Sequence, residues 1–317
     1  MGSSATHTKD LRVIPMSRRP PPRDRNSAPA LGARVREMTG ESWKTVKRLI
    51  STGKVFVDDA PVLDAGLRPS ASATIEVRQN AKKPKRNAFE VQIVYQDNHL
   101  IVIDKPSGVS SVPYNAEERD TAMDLVRSAW RSRGEEANGP LIVVHRIDKD
   151  TSGLLMFARS KKGELGLAQQ LRSHTMARQY SCVCNGSVTP ARIESNLLRD
   201  RGDGLRGSNR HDTKGRRSVT HVEVERALKN ATLCRVRLET GRTHQIRIHL
   251  SEAGHVLVGE RVYSRDAELS GRPLLPSKRL LLHAQTLGFV HPVTGKEMSF
   301  RSEYPESFVR ELAALEL

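Results

Sequence analysis

The sequence predicts an α+β fold: a mixed, mainly antiparallel sheet in a large domain, with a small α/β domain ahead of it. Three observations carry this. Short apolar runs recur from Leu100 onward with helical patterns interspersed, and they lack the regular strand–helix alternation of a parallel sheet. A charged, proline-bearing break, Lys82-Lys83-Pro84-Lys85-Arg86, has no apolar anchor and reads as a linker between domains. The chain has 317 residues, 37% hydrophobic and 28% charged, which is enough for about two domains with a sizeable core. No repeat of fixed period is present.

Taken in order, residues 1–30 are Ser-, Pro- and Arg-rich and read as a disordered basic tail. Arg18-Arg19-Pro20-Pro21-Pro22 is incompatible with the amphipathic helix of an organellar transit peptide, and no apolar stretch suits a secretory signal. A cytoplasmic protein is expected. Residues 31–78 form a compact segment. Within it Ser42 can cap a helix over Trp43–Ser51, with Val46, Leu49 and Ile50 as the apolar stripe and Gly53 at the position after the cap. Lys44, Lys47 and Arg48 lie largely off that stripe. A short strand at Val55–Val57, a turn at Asp58-Asp59 and a strand at Thr74–Val77 follow. The linker spans 79–88, and 89–317 is continuous.

In the large domain, Leu100–Asp104, Leu141–His145 and Leu154–Ala158 read as short apolar strands. Thr121 and Asp124 suit a capping box for a helix ending near Gly134, and Leu165–His174 is helical in pattern. Tyr180, Cys182 and Cys184 alternate, as do Val222 with Val224, and Cys234 with Val236 and Leu238. The last helix starts at Pro305. Residues Arg199–Arg217 hold seven basic and three acidic residues with little apolar content, and are expected to form a mobile insertion between strands that orders against RNA backbone.

Lys plus Arg number 52 against 36 Asp plus Glu, a formal net charge of +16. Such a surplus meets polyanions, with nucleic acid the default partner. At 4% aromatic residues, binding single strands mainly by stacking bases on many exposed rings is not expected. No apolar run approaches the roughly 18 residues of a membrane span. The three cysteines, Cys182, Cys184 and Cys234, lack the spacing of a zinc site or a disulfide framework and suit buried strand positions.

Two stretches bear chemistry. His145-Arg146-Ile147-Asp148-Lys149-Asp150-Thr151-Ser152-Gly153 puts two carboxylates, a cation and hydroxyls at a strand end. A calcium loop starting at Asp148 would need a glutamate where Arg159 stands, and a serine nucleophile elbow would need glycine where Asp150 stands. A lone catalytic carboxylate and a polar turn whose Asp and Ser bond local backbone both remain open. The second stretch, Gly241-Arg242-Thr243-His244-Gln245-Ile246-Arg247-Ile248-His249-Leu250, suits a helix capped by Thr243 and ending at Gly254, with a strand as the other reading. His244 and His249 lack the glutamate and spacing of a helical zinc motif. A buried Arg247 near a carboxylate would hold that carboxylate ionised and oriented; an ordinary structural ion pair is the alternative.

Together, HRIDKDTSGLL at 145–155 and GRTHQIRIHL at 241–250 resemble the signatures of the RluA-type pseudouridine synthases. Asp104-Lys105-Pro106-Ser107-Gly108, Arg178-Gln179-Tyr180, Leu282-His283-Ala284 and His291-Pro292 follow in family order. Residues 31–78 resemble an S4 RNA-binding domain, with Asp58-Asp59-Ala60 in place of the usual Asn-Gly turn. The resemblance implies a pseudouridine-synthase-type catalytic domain acting on structured RNA, most simply large-subunit ribosomal RNA, with no cofactor and no metal. It implies that Asp148 acts on the sugar, Arg247 pairs with it, and Tyr180 lines the base pocket. Arg146 would fill the gap left by a flipped nucleotide, and Arg242, His244, Gln245, Lys44, Lys47 and Arg48 would contact RNA. Gly259-Glu260-Arg261-Val262-Tyr263-Ser264 departs from the family's Gly-Asp-x-x-Tyr-Gly, and Val112-Pro113 from its His-Pro; both are expected to affect substrate contacts and to touch none of the three catalytic residues. A transfer-RNA-directed synthase and a non-catalytic RNA-binding or ribosome-assembly protein are the rivals. A monomer is the default.

Overall fold

In the computed structural model, the described residues are 12–13, 29–63, 65, 67, 69, 72–81, 90–114, 118–202, 204–208 and 215–316. The chain divides into two compact units, Pro21–Ala88 and Phe89–Leu317, with Met1–Pro20 grouped with the second. Of the tail expected over 1–30, only Arg12–Val13 and residues 29–30 are described. Arg12–Val13 form β1, a strand that pairs with the large sheet.

The smaller unit contains α1 (Leu31–Thr39), α2 (Trp43–Ser51), β2 (Val55–Val57), β3 (Ala60–Pro61) and β4 (Ile75–Val77). Ser42 accepts a hydrogen bond from the Thr45 N–H and starts α2 as its sequence requires. Val46, Leu49 and Ile50 pack with Leu31, Val35 and Val55 into a core of its own. Lys44, Lys47 and Arg48 are exposed on the other side of α2.

The larger unit runs β5 (Gln92–Gln96), β6 (Leu100–Lys105), α3 (Ala122–Ser132), β7 (Ile142–Val143), β8 (Ser152–Ala158), α4 (Lys161–Arg172) and β9 (Ala177–Asn185). It continues through β10 (Ala191–Leu198), β11 (Gly207–Ser208), β12 (Arg216–Leu228), β13 (Ala231–Leu238), α5 (Gln245–Glu252) and α6 (Arg265–Leu269). It ends with β14 (Leu282–Val290), β15 (Glu297–Arg301) and α7 (Glu306–Ala313). One sheet orders its strands β1-β10-β12-β13-β9-β14-β8-β6-β5. Among the described residues its pairings are antiparallel except β1 with β10 and β14 with β8. The expected mixed, mainly antiparallel sheet is therefore present.

The apolar runs at β6 and β8 follow from burial on both sheet faces. Successive strand residues point to opposite faces. Ile101, Ile103, Leu155 and Phe157 pack against α3 on one face, whereas Leu100, Val102, Leu154 and Met156 pack with Leu167 of α4 on the other. Thr121 and Asp124 close the expected capping box of α3.

Arg199–Arg217 lies between β10 and β12, but its described part is pinned. Gly207–Ser208 pair with Leu197 and Leu198, Ser208 donates to Glu252 of α5, and Arg201 ion-pairs with Asp266 at 3.1 Å. Residues 203 and 209–214 lie outside the described residues.

Candidate active site

The loop between β7 and β8 carries Asp148, and the turn after β6 braces it. The buried Lys105 ammonium donates to the carbonyls of Pro106, Val109 and Lys149 at 2.7–3.1 Å. The Gly108 N–H also donates to Lys149 O, and the Ser107 hydroxyl donates to Asp150 O. Ser111 both donates to and accepts from the Ile147 backbone. Burial pushes Lys105 down to about 7, while Asp150 and Asp148 pull it back up. The Asp-Lys-Pro-Ser-Gly motif is thus a clamp on the loop. Gly153, at φ 108°, opens β8 where a Cβ would collide with the Ala284 backbone of β14.

The Ser152 hydroxyl is directed away from solvent. It bonds His283 Nδ1 at 2.9 Å and accepts from Arg279 Nη2 at 2.7 Å, all within the packed interior. A buried serine of this kind cannot reach a substrate, which closes the nucleophilic reading.

A cleft of about 730 Å³ opens beside the loop. Asp148, Tyr180, Arg146, Arg242, His244 and Gln245 all line it. The Asp148 side chain is 21% exposed. Tyr180 stands on β9, paired with Val236 of β13 and Ala284 of β14, and only 8% of it is exposed. Burial raises its phenol above the ordinary value, with Arg178 pulling it down and Asp148 pushing it up. Arg146 is exposed at the rim. Lys44, Lys47 and Arg48 belong to the other unit.

Arg247 lies behind Asp148 on α5 and is 4% exposed. Its Nη1 is 3.8 Å from Asp148 Oδ2, an ion pair across a gap too wide for a hydrogen bond. Its principal partner is Glu260. Nε and Nη2 each donate to that carboxylate at 2.7 Å, a bidentate pair. Glu260 also accepts the backbone N–H groups of Arg261, Val262 and Tyr263. Burial pushes Glu260 up, but these donors more than offset it and hold it below the usual carboxylate range. Arg247 is correspondingly raised: burial lowers it, and the Glu260 bonds outweigh the burial. The expectation that the Gly259–Ser264 departure touches none of the catalytic residues is therefore corrected, because Glu260 holds Arg247.

His244 completes the wall. Its Nε2 is 4.0 Å from Asp148 Oδ1 and its Nδ1 bonds the Tyr263 hydroxyl at 2.7 Å. Burial lowers its ionisation below the ordinary histidine value, with Asp148 pulling it back up and Arg247 lowering it further, so the ring is neutral at pH 7. Tyr263 in turn lies under the Arg247 guanidinium, 5.4 Å from the ring centroid.

Two expectations at this helix change. Its cap is His244, in the left-handed conformation at φ 59°, and not Thr243. Gln245 is 2% exposed and fully committed inside the protein: Oε1 accepts from Thr240 and the Arg242 N–H, and Nε2 donates to Val219 O and Thr220. It braces the loop and has no free donor or acceptor for RNA. Sequence reasoning also left Glu260, Tyr263, Lys105 and Arg178 without roles, although each stands in a motif it had singled out. Among the described residues no cluster of His, Cys, Asp or Glu has the arrangement of a metal site, and no helix is long and apolar enough to cross a membrane.

The family model for RNA pseudouridylate synthase matches residues 99–252. The chain is 35% identical over 278 residues to the ribosomal large subunit pseudouridine synthase D of Zymomonas mobilis subsp. mobilis, across 85% of this chain and 88% of that protein. The protein of the same name from Pseudomonas aeruginosa is 33% identical over 280 residues, across 84% and 85%. In three dimensions, human RNA pseudouridylate synthase domain containing 4 superposes with a TM-score of 0.58 at 22% identity, covering 71% of this chain and 94% of that one.

Proposed function

Because the chain belongs to the RNA pseudouridylate synthase family and is an RNA pseudouridine synthase, we propose that it isomerises specific uridines of large-subunit ribosomal RNA, using Asp148 as the catalytic carboxylate. The single observation behind the assignment of Asp148 is its place: a partly exposed carboxylate on the cleft wall, facing a buried arginine 3.8 Å away. The substrate class rests on the relatives named for the ribosomal large subunit.

In the reaction the N1–C1′ bond of uridine breaks, the base turns, and C5 joins C1′. The C5 proton leaves and N1 gains one, so the isomerisation balances without a cofactor. Asp148 acts on the sugar, by attack or by deprotonation, and either role requires the ionised form. Arg247, locked by Glu260, presents a fixed positive charge to it. The Tyr180 ring borders the space for the base. A base inside a helix cannot reach this wall, so the nucleotide flips into the cleft and Arg146 at the rim fills the vacancy. The basic face of α2, in the S4-like unit, binds RNA backbone. A cytoplasmic location follows from the ribosomal substrate.

The test uses cells lacking the protein, supplied with wild type or Asp148→Asn, with pseudouridines mapped across ribosomal and transfer RNA by carbodiimide-adduct primer extension. Sites lost in the deletion should return with wild type and not with the variant, whose rate falls by more than about a hundred-fold. Sites confined to transfer RNA would replace the substrate. Restoration by both proteins would remove Asp148 from its role, and no missing site would favour the non-catalytic reading.

A further inference from the structure

Two arginines at or behind the cleft wall are more than nine-tenths buried, Arg178 and Arg247, and their surroundings differ sharply. Arg247 is neutralised inside the protein by Glu260 through two 2.7 Å bonds. Arg178, 8% exposed, lines the cleft and makes no ion pair among the described residues. Of its five N–H donors, a single Nη2 bond to the Glu239 carbonyl is formed, at 3.3 Å. Its Nε is buried without a partner. Nη1 lies against Gly241, where a Cβ would stand 2.5 Å from it, so the guanidinium occupies room that only a glycine leaves. The neighbouring His145 offers no compensation: its Nε2 accepts the Met156 N–H, and burial together with Arg178 pushes it down to about 3. A buried, unpaired charge is costly, and a site that keeps one normally receives the counter-charge from its ligand.

On β9, Arg178 and Tyr180 are two residues apart and face the same side of the sheet. Their Cα atoms are separated by about 7 Å along the strand, the span of one nucleotide from its base to its phosphate. RNA offers one kind of anion, and a planar guanidinium with free donors matches phosphate oxygens. We infer that Arg178 is the receptor for a backbone phosphate adjoining the target uridine, fixing the flipped nucleotide by its charge while Tyr180 borders its base. This inference rests on the reading of the cleft as the RNA site, and it adds a recognition residue to the catalytic wall.

The test measures equilibrium binding, so that it does not depend on turnover. RNA hairpins carrying the target uridine are prepared with a single uncharged methylphosphonate at each phosphate around it, and Kd is measured for wild type, Arg178→Gln and Arg178→Lys. At one position the methylphosphonate should weaken wild type on the order of ten-fold and leave Arg178→Gln almost unchanged, the coupling expected of a direct pair. The log–log salt slope of Arg178→Gln should fall by about 0.7–0.9, one phosphate contact, while Arg178→Lys keeps the slope and loses the fit. Equal losses for wild type and Arg178→Gln at every position would overturn the inference, as would an unchanged slope. Wild type supplies the phosphate position by itself should Arg178→Gln melt early, and Arg178→Lys then serves as the paired variant. Failure of wild type to isomerise the hairpin, with the coupling intact, would overturn the substrate and leave the phosphate site standing.

Discussion

At the scale of single residues, the site depends on a carboxylate that contacts no substrate. Glu260 is the counter-ion that permits Arg247 to stay charged while buried behind Asp148. Removing one member of a buried ion pair leaves the other uncompensated, at about 3–5 kcal/mol. Glu260→Ala should therefore lower stability by that order in a denaturant melt. Glu260→Gln keeps the shape but not the charge, so Arg247 should close on Asp148, and the single-turnover rate should fall about ten-fold or more with RNA affinity little changed. A stable, fully active Glu260→Gln would show that Arg247 needs no second carboxylate. The motifs at 145–155 and 241–250 made Asp148 and Arg247 legible as candidates, and Arg178-Gln179-Tyr180 did the same for Tyr180, because each stands in a short contiguous stretch. Glu260 was not legible: it meets Arg247 through a turn 13 residues further on, a contact that only the packed chain creates. The cap of α5 was misread for a related reason, since nothing local marks His244 as the residue that turns left-handed.

At the scale of elements, strands buried on both faces by apolar residues were readable, and strands carrying buried polar pairs were not. β6 and β8 announce themselves as continuous apolar runs. β14 does not, because His283 and Gln285 interrupt it; each is satisfied by a neighbouring strand, Ser152 for His283 and Ser181 for Gln285. Turns depend on comparable hidden bonds. Asp97, between β5 and β6, accepts from the N–H groups of His99 and Leu100, from the Tyr95 hydroxyl and from His291 Nε2. Burial alone would raise this carboxyl, but those donors bring it down to about 2. A folded-state value below the unfolded one stabilises the protein above the unfolded pKa, 3.8, and the contribution is lost as pH falls toward 2. The shift corresponds to about 2 kcal/mol before solvent screening, which reduces it at this partly exposed position. Asp97→Asn should thus lower stability by about 1–2 kcal/mol at pH 7 and flatten the loss of stability between pH 4 and 2. An acid-unfolding curve with the same slope for both proteins would remove Asp97 from this role.

At the scale of the whole molecule, the surplus of 16 positive charges states what kind of partner is bound without saying where. Within the large unit Arg247 is engaged with Glu260 and Arg201 with Asp266. The exposed basic face of α2 is different in kind. Lys44, Lys47 and Arg48 project from a helix whose opposite face is bound into its own small core, so their replacement removes charge and leaves packing intact. Each phosphate contact displaces counterions and contributes about 0.9 to the log–log salt slope on a duplex. Replacing all three residues by Gln in the full chain should reduce that slope by about 2–3 and weaken affinity most at low salt, while the single-turnover rate at saturating protein stays as in wild type. Such a split would divide the labour between the two units, with the small one supplying charge to hold folded RNA and the large one selecting and turning the uridine. A triple variant with an unchanged slope would place the RNA backbone on the large unit alone and leave α2 as a solvated face.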